Sequence, residues 1–336
     1  MSTVPRGTLG RSGLEVSRLG LGLAAVARPG YITLGRGEDL PARRTPEVLY
    51  ARSAALLDAA LAAGVRYLDV ARSYGRAEEF LARWRRGRHL AQDAVVVGSK
   101  WGYRYTAGWT VDAPVHEEKE LSLVRFTAQL AETQALLGTP VDLYQIHSAT
   151  VESGCLGDAP LLHALVACRR RGACRALGLT LSGPGSAQTL ALALAARVEG
   201  ERVFDVVQAT FNCLEPSLAG PLAEAHAAGV GVIVKEAFAN GRLTPANRRP
   251  EDAALVGTLG ALAAAADCTL DQLALAFVLA HPFVDVVLSG AATVAQLGSH
   301  VGAFDVRLDD RTRARLATIA EAPAAYWATR GRLAWS

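Results

Sequence analysis

The chain has 336 residues, 51% hydrophobic and 20% charged, with a formal net charge of +3. This composition excludes a disordered chain, a collagen, a coiled coil and a disulfide-built scaffold. The weak positive balance forms no basic stripe, so no nucleic-acid partner is expected.

In chain order, a hairpin signal covers 8–17, with Gly13 at its turn. β-rich apolar runs follow at 18–22, 65–70, 94–99, 141–146, 176–180, 205–208, 230–234 and 284–288. Most are continuously apolar, as strands buried on both faces of a parallel sheet are. Helical candidates fill the intervals at 45–63, 77–86, 117–137, 160–171, 186–198, 216–228, 251–266 and 293–301. Gly64 and Gly229 sit just past two of them, where a left-handed residue ends a helix. Strand and helix alternate eight times with no linker, which predicts an α/β fold, a (β/α)8 TIM barrel, as a single domain over 1–336. The hairpin (8–17) plugs the barrel bottom, the barrel covers 18–302, and a C-terminal helix and tail occupy 303–336. Tyr326, Trp327 and Trp335 mark that tail as packed against something.

A doubly wound open sheet is the alternative. Gly20-Leu21-Gly22-Leu23-Ala24-Ala25 matches G-x-G-x-x-A, but a loop of about 20 residues follows where that fold needs a helix at once.

The five cysteines, Cys155, Cys168, Cys174, Cys213 and Cys268, are odd in number and contain no C-x-x-C. They read as free thiols in a reducing compartment, and no metal site is expected. The first residues lack the apolar stretch of a secretory signal. The apolar stretches 189–196 and 255–266 are too short to span a bilayer, so the expectation is a cytoplasmic protein without a membrane partner. The basic run 83–88 reads as a solvated helix end.

Barrels of this kind gather function at the C-terminal ends of their strands. Asp69 ends the second run, with Tyr74 in the turn beyond it; Lys100 ends the third and His147 the fourth. A buried strand rarely closes on a charge, because an unpaired buried charge costs several kcal/mol. The four make coherent proton-transfer chemistry. An ammonium lowers the pKa of a nearby phenol, a carboxylate holds the ammonium, and a histidine hydrogen-bonds a carbonyl oxygen. Tyr74 is thus the general acid/base, Lys100 its tuner, Asp69 the holder of Lys100 and His147 the substrate orienter. The chain keeps three lysines, Lys100, Lys119 and Lys235, among otherwise arginine cations. Lys119 reads as part of a charged first helical turn, whereas Lys100 and Lys235 end strands. Trp101 and Tyr103, followed by Tyr105 and Trp109, are candidates for an aromatic substrate wall.

At these residues the sequence resembles the aldo-keto reductases. The family's D-x-A-x-x-Y-G reads Asp69-Val70-Ala71-Arg72-Ser73-Tyr74-Gly75, and the surroundings of Lys100 and His147 are similar to the family's third and fourth strand ends. The resemblance runs from about Leu9 to Val301 and implies NADP(H) or NAD(H) as cofactor. It implies reversible hydride transfer between nicotinamide and a small-molecule aldehyde, ketone or sugar-like alcohol, in a monomer or small homo-oligomer. Gln208 matches the carboxamide-binding glutamine, and Gly290 the turn near the cofactor phosphates. Thr180 and Leu181 stand where the family has Ser-Asn, with Ser182 beside them. Lys235 takes the stacking position under the nicotinamide, paired with Glu236, and Arg242 follows in the same segment. In the last barrel helix Thr293 replaces a basic residue, Gln296 follows, and His300 replaces an asparagine. The missing basic residue favours NAD(H), but other loops can supply a cation. A dinucleotide-sensing partner subunit and a lyase using Lys100 as a Schiff-base amine are the rival functions.

Overall fold

The computed structural model describes residues 3–336. Eight parallel strands close a barrel: β1 (Leu19–Gly22), β2 (Tyr67–Asp69), β3 (Val96–Trp101), β4 (Val141–Ala149), β5 (Cys174–Leu181), β6 (Val206–Thr210), β7 (Gly231–Lys235) and β8 (Val286–Ser289). They follow one another round the ring in sequence order, and β8 closes on β1. The barrel expected from the alternation is therefore the fold, and the open sheet is excluded.

Helices wrap the barrel: α1 (Pro46–Ala62), α2 (Ala77–Gly87), α3 (Leu123–Leu137), α4 (Ala159–Arg170), α5 (Ser186–Ala195), α6 (Ala219–Ala227), α7 (Ala253–Ala265), α8 (Leu270–Leu279) and α9 (Val294–Gly302). Two more, α10 (Asp310–Ala317) and α11 (Pro323–Gly331), follow in the tail. Side-chain caps set several starts. Thr45 Oγ1 accepts from the Val48 N–H, and Thr293 with Gln296 forms a reciprocal capping box at α9.

The hairpin pairs Arg6–Thr8 with Glu15–Ser17 and closes the barrel bottom. Its Leu9, Leu14 and Val16 pack against Tyr67, Leu143 and Ile233 inside the barrel. Gly10 permits this. It has φ +51, and a Cβ there would lie 2.3 Å from the Gly231 nitrogen.

Three expectations are corrected. The helix expected from 117 starts only at Leu123, because Glu117–Lys119 pairs antiparallel with Tyr103–Tyr105 as a ribbon. The helix expected over 186–198 stops at Ala195, because Arg197–Val198 pairs with Glu201–Arg202. Helix α8 lies outside the expected elements. Its residues are buried almost all round, from Leu270 to Val278, so it shows no one-sided period.

The five cysteines are unpaired thiols. Among the described residues no single helix is long and apolar enough to cross a membrane, and no cluster suited to a metal ion occurs.

Candidate active site

The strand ends open into a cavity of about 390 Å³ lined by Asp69, Tyr74, His147 and Gln208, with Lys100 beneath. Lys100 is buried inside the barrel, where its Nζ donates to Asp69 Oδ1 and, at 3.0 Å, to the Val70 carbonyl. Asp69 Oδ2 also accepts from Gln208 Nε2 at 2.8 Å. The carboxylate is thus held from two sides, by donors from β3 and β6.

Tyr74 enters the cavity from the turn after β2. Gly75 has φ +58, and a Cβ there would meet the Ala27 carbonyl at 2.5 Å. This close approach fixes the tyrosine against the loop after β1. The Tyr74 ring centroid is 4.8 Å from Lys100 Nζ and 5.5 Å from the His147 ring.

The phenol departs from the expected tuning. Burial first, then the charge of Asp69, holds the Tyr74 pKa well above 10.0. Asp69 is bonded to Lys100, so the ammonium's field is largely cancelled at the phenol. Tyr74 is therefore a protonated hydroxyl at neutral pH. Burial, followed by the positive charges of Lys100, Lys235, Arg28 and Lys119, pushes His147 well below 6.5, so its imidazole is neutral. It lies 3.5 Å from Ser73 Oγ and packs edge-on to Tyr103.

The expected cofactor residues divide. Gln208 Oε1 is buried without a partner, an acceptor waiting for an N–H such as a carboxamide offers. Ser182, Lys235, Glu236 and Gly290 line the cavity. Thr180 is buried and does not line the cavity; its Oγ1 accepts from the Ser148 N–H at 2.7 Å. Lys235 Nζ donates to Thr210 Oγ1 at 2.9 Å, and burial lowers its pKa to about 8. Arg242 is buried between Asp252 and Glu321 and lines no part of this cavity. Its place is structural, because both carboxylates consume its guanidinium. Thr293 serves as the cap of α9. Gln296 and His300 line a second cavity of about 500 Å³ that adjoins the first.

The substrate wall is also corrected. Trp101 is fully buried against Phe126, outside the barrel, whereas Tyr103 does line the cavity. Lys119 lies in a strand and not in a first helical turn. The ribbon carries it over the rim, where Nζ donates to the Ser148 carbonyl at 2.7 Å.

Residues that the sequence does not assign to the site complete the cavity. The Arg28 guanidinium lies 5.1 Å from the Tyr74 ring centroid, 4.8 Å from that of Tyr31 and 5.1 Å from that of Trp335, and it donates to Glu117. Arg330 of α11 donates to both oxygens of Glu236 at 2.9 and 3.1 Å. That pairing, with Lys235 and Thr210, overcomes burial and pulls the Glu236 pKa down to about 2. Trp335 stacks on His116 at 3.9 Å, and Ser336 exchanges backbone hydrogen bonds with Tyr31. The tail thus returns to the cavity mouth. Its aromatic content was the visible signal; its target was not.

Comparison with known proteins bears on the family and the fold. Residues 33–321 match the model of the Aldo/keto reductase family. The chain is 24% identical over 320 residues to the uncharacterized oxidoreductase YqkF of Bacillus subtilis (strain 168), covering 89% of this chain and 90% of that protein. Its fold is similar to that of the aldo-keto reductase AKR11C1 from Bacillus halodurans in its holo form, at 22% identity and TM-score 0.73, covering 95% and 97% of the two chains. It is also similar to PA4992 from Pseudomonas aeruginosa, at 22% identity and TM-score 0.64, covering 90% and 96%. With the closed barrel and a family match over most of its length, the chain belongs to the aldo/keto reductase family and is an oxidoreductase of that family.

Proposed function

We propose that the chain interconverts a small aldehyde, ketone or sugar-like substrate and its alcohol with NAD(H) or NADP(H), using Tyr74 as general acid/base. One observation carries this reading. Tyr74, His147 and the Lys100–Asp69 pair meet at one cavity floor, beside the orphaned acceptor Gln208 Oε1. When bound, the dinucleotide supplies or accepts the hydride. Neutral His147 donates a hydrogen bond to the substrate oxygen. Tyr74, protonated at neutral pH, passes its proton to that oxygen as negative charge develops there. Lys100 and Asp69 keep the floor rigid and charge-balanced. Tyr31, Tyr103 and Trp335 shield the proton path from bulk water. The unpaired thiols fit a reducing, cytoplasmic setting.

The Schiff-base rival is disfavoured because Lys100 Nζ is buried and bonded to a carboxylate. The sensing-subunit reading keeps one support, the Arg330–Glu236 tie that links the cavity edge to α11. Single-turnover oxidation of NADH or NADPH by a reactive aldehyde separates it from an enzyme. The direct test is Tyr74→Phe. Turnover should fall by about 10²–10⁴-fold, while dinucleotide binding, followed by tryptophan fluorescence, stays near that of the parent. Near-normal turnover would sink the assigned role.

A further inference from the structure

The second cavity shares Ala25, Phe238, Gly241 and Gly290 with the first, so the two form one bent trough. A dinucleotide is an elongated ligand. If its reactive end sits by Tyr74 and Gln208, its other end must follow a continuous path. The shared wall at Gly290 lies beyond β8, beside the start of α9, where barrels of this class commonly hold phosphate.

The chemistry of this second cavity is one-sided. Asp39 and Asp271 both line it. Asp39 is held in place by Gln296, whose Nε2 donates to Oδ2 at 2.7 Å; among the described residues its Oδ1 accepts no hydrogen bond. Among the described lining residues Arg36 is the single lysine or arginine, and its guanidinium is turned toward backbone carbonyls. Its Nε donates to the Ala25 carbonyl at 2.6 Å, Nη1 to Pro29 at 2.8 Å, and Nη2 to Arg28 at 2.6 Å. Two amides just ahead of α9 are turned toward a side chain. Ala292 and Thr293 donate to Gln296 Oε1 at 2.8 and 3.2 Å. His300 is buried against Phe238 and bonded to Ser289, and burial lowers its pKa to about 4, so it adds no charge at neutral pH.

A ribose diol needs an acceptor, and a carboxylate supplies one; a 2′-phosphate needs a cation. We infer that this cavity receives the adenosine end of the dinucleotide and selects a free 2′-hydroxyl, with Asp39 as its acceptor, so that the chain is built for NAD(H) and against NADP(H). The inference rests on the dinucleotide reading above and adds the choice which that reading leaves open. A 2′-phosphate would meet the carboxylates of Asp39 and Asp271, while the Arg36 guanidinium is turned toward backbone carbonyls rather than toward the ligand.

The test is equilibrium binding of NADH and NADPH to the whole protein, by calorimetry or tryptophan quenching, without substrate. Adenosine 5′-monophosphate and adenosine 2′,5′-bisphosphate serve as probes of the adenosine end alone. NADH should bind at least about tenfold more tightly than NADPH, the size of one charge-assisted hydrogen bond. The monophosphate should outbind the bisphosphate. Asp39→Ala should weaken NADH by a similar factor and leave NADPH unchanged or tighter, which collapses the preference. Equal or tighter binding of NADPH by the parent overturns the inference while leaving the dinucleotide reading standing. So does a ratio that Asp39→Ala leaves unchanged. Binding of neither dinucleotide by folded protein removes both.

Discussion

The rim of the barrel carries two buried ion-pair clusters that are built in opposite ways. At the ends of β2 and β3, Lys100 and Asp69 are both contributed by barrel strands, and their side chains are 0% and 3% exposed. Their partners, Val70 and Gln208, belong to or adjoin the same ring of strands. At the end of β7, Lys235 and Glu236 lie 3.9 Å apart, too far to satisfy each other. Arg330 completes that cluster from a helix 94 residues further along the chain. Closing the barrel is therefore enough to form the first cluster, whereas the second also requires the tail to dock. A buried pair is a weak source of net stability, but removing one partner leaves an uncompensated charge. The two clusters should thus fail differently: the first through chemistry, the second through folding of the rim.

The largest separation is expected from Tyr74→Phe beside Arg330→Leu. Tyr74→Phe removes the proton donor above the first cluster and should lower kcat by about three orders of magnitude, with the urea midpoint nearly unchanged. Arg330→Leu strands Glu236, whose side chain is 8% exposed, and should cost about 3 kcal/mol of stability in urea titration. If Arg330→Leu leaves the unfolding midpoint in place, the second cluster does not depend on the tail and the contrast fails. The double variant Arg330→Leu with Glu236→Gln should recover much of the loss, because the charge that needed pairing is gone.

The same contrast explains what was legible beforehand. Asp69, Tyr74, Lys100 and His147 could be read because a charge closing an apolar run is a local signal, and a parallel barrel places all such ends on one rim. The strand period puts Trp101 on the face opposite Lys100. Lys100 points into the barrel, so its neighbour must point out, toward Phe126. Lys119 was read into a helix because Glu117-Glu118-Lys119-Glu120 looks like a charged first turn. Nothing local shows that the segment pairs with Tyr103–Tyr105. Arg242 was read toward a cofactor because its partners Asp252 and Glu321 come from elsewhere in the chain. The loop and tail residues Arg28, Arg330 and Trp335 carry no periodic pattern, and their roles arise only when distant segments meet over the cavity.

Acid sharpens the comparison. The Glu236 pKa is depressed from 4.5 to about 2 in the folded protein. A depressed carboxylate contributes stability that is complete above its unfolded pKa and is lost as pH falls toward the folded value. Glu236 should therefore contribute up to about 3 kcal/mol above pH 4.5 and lose it progressively between pH 4.5 and 2. Denaturant titrations across that window should show a shallower fall for Glu236→Gln than for the parent. Parallel slopes would place the acid sensitivity elsewhere.

The smallest effect concerns the tail beyond the second cluster. Trp335 stacks on His116, flanks Arg28 and lines the cavity, but it holds no charge in balance. Trp335→Ala should therefore leave Glu236 paired and lower stability by only about 1 kcal/mol, because the site is at the surface and can be filled by water. The mouth would widen while the floor around Tyr74 stays intact. KM for a small carbonyl substrate should rise several-fold with kcat within about twofold, the pattern of lost uniform binding. A matching fall in kcat would mean instead that Trp335, through Arg28, helps set the position of Tyr74, and that the two regions of the rim are coupled through the guanidinium between them.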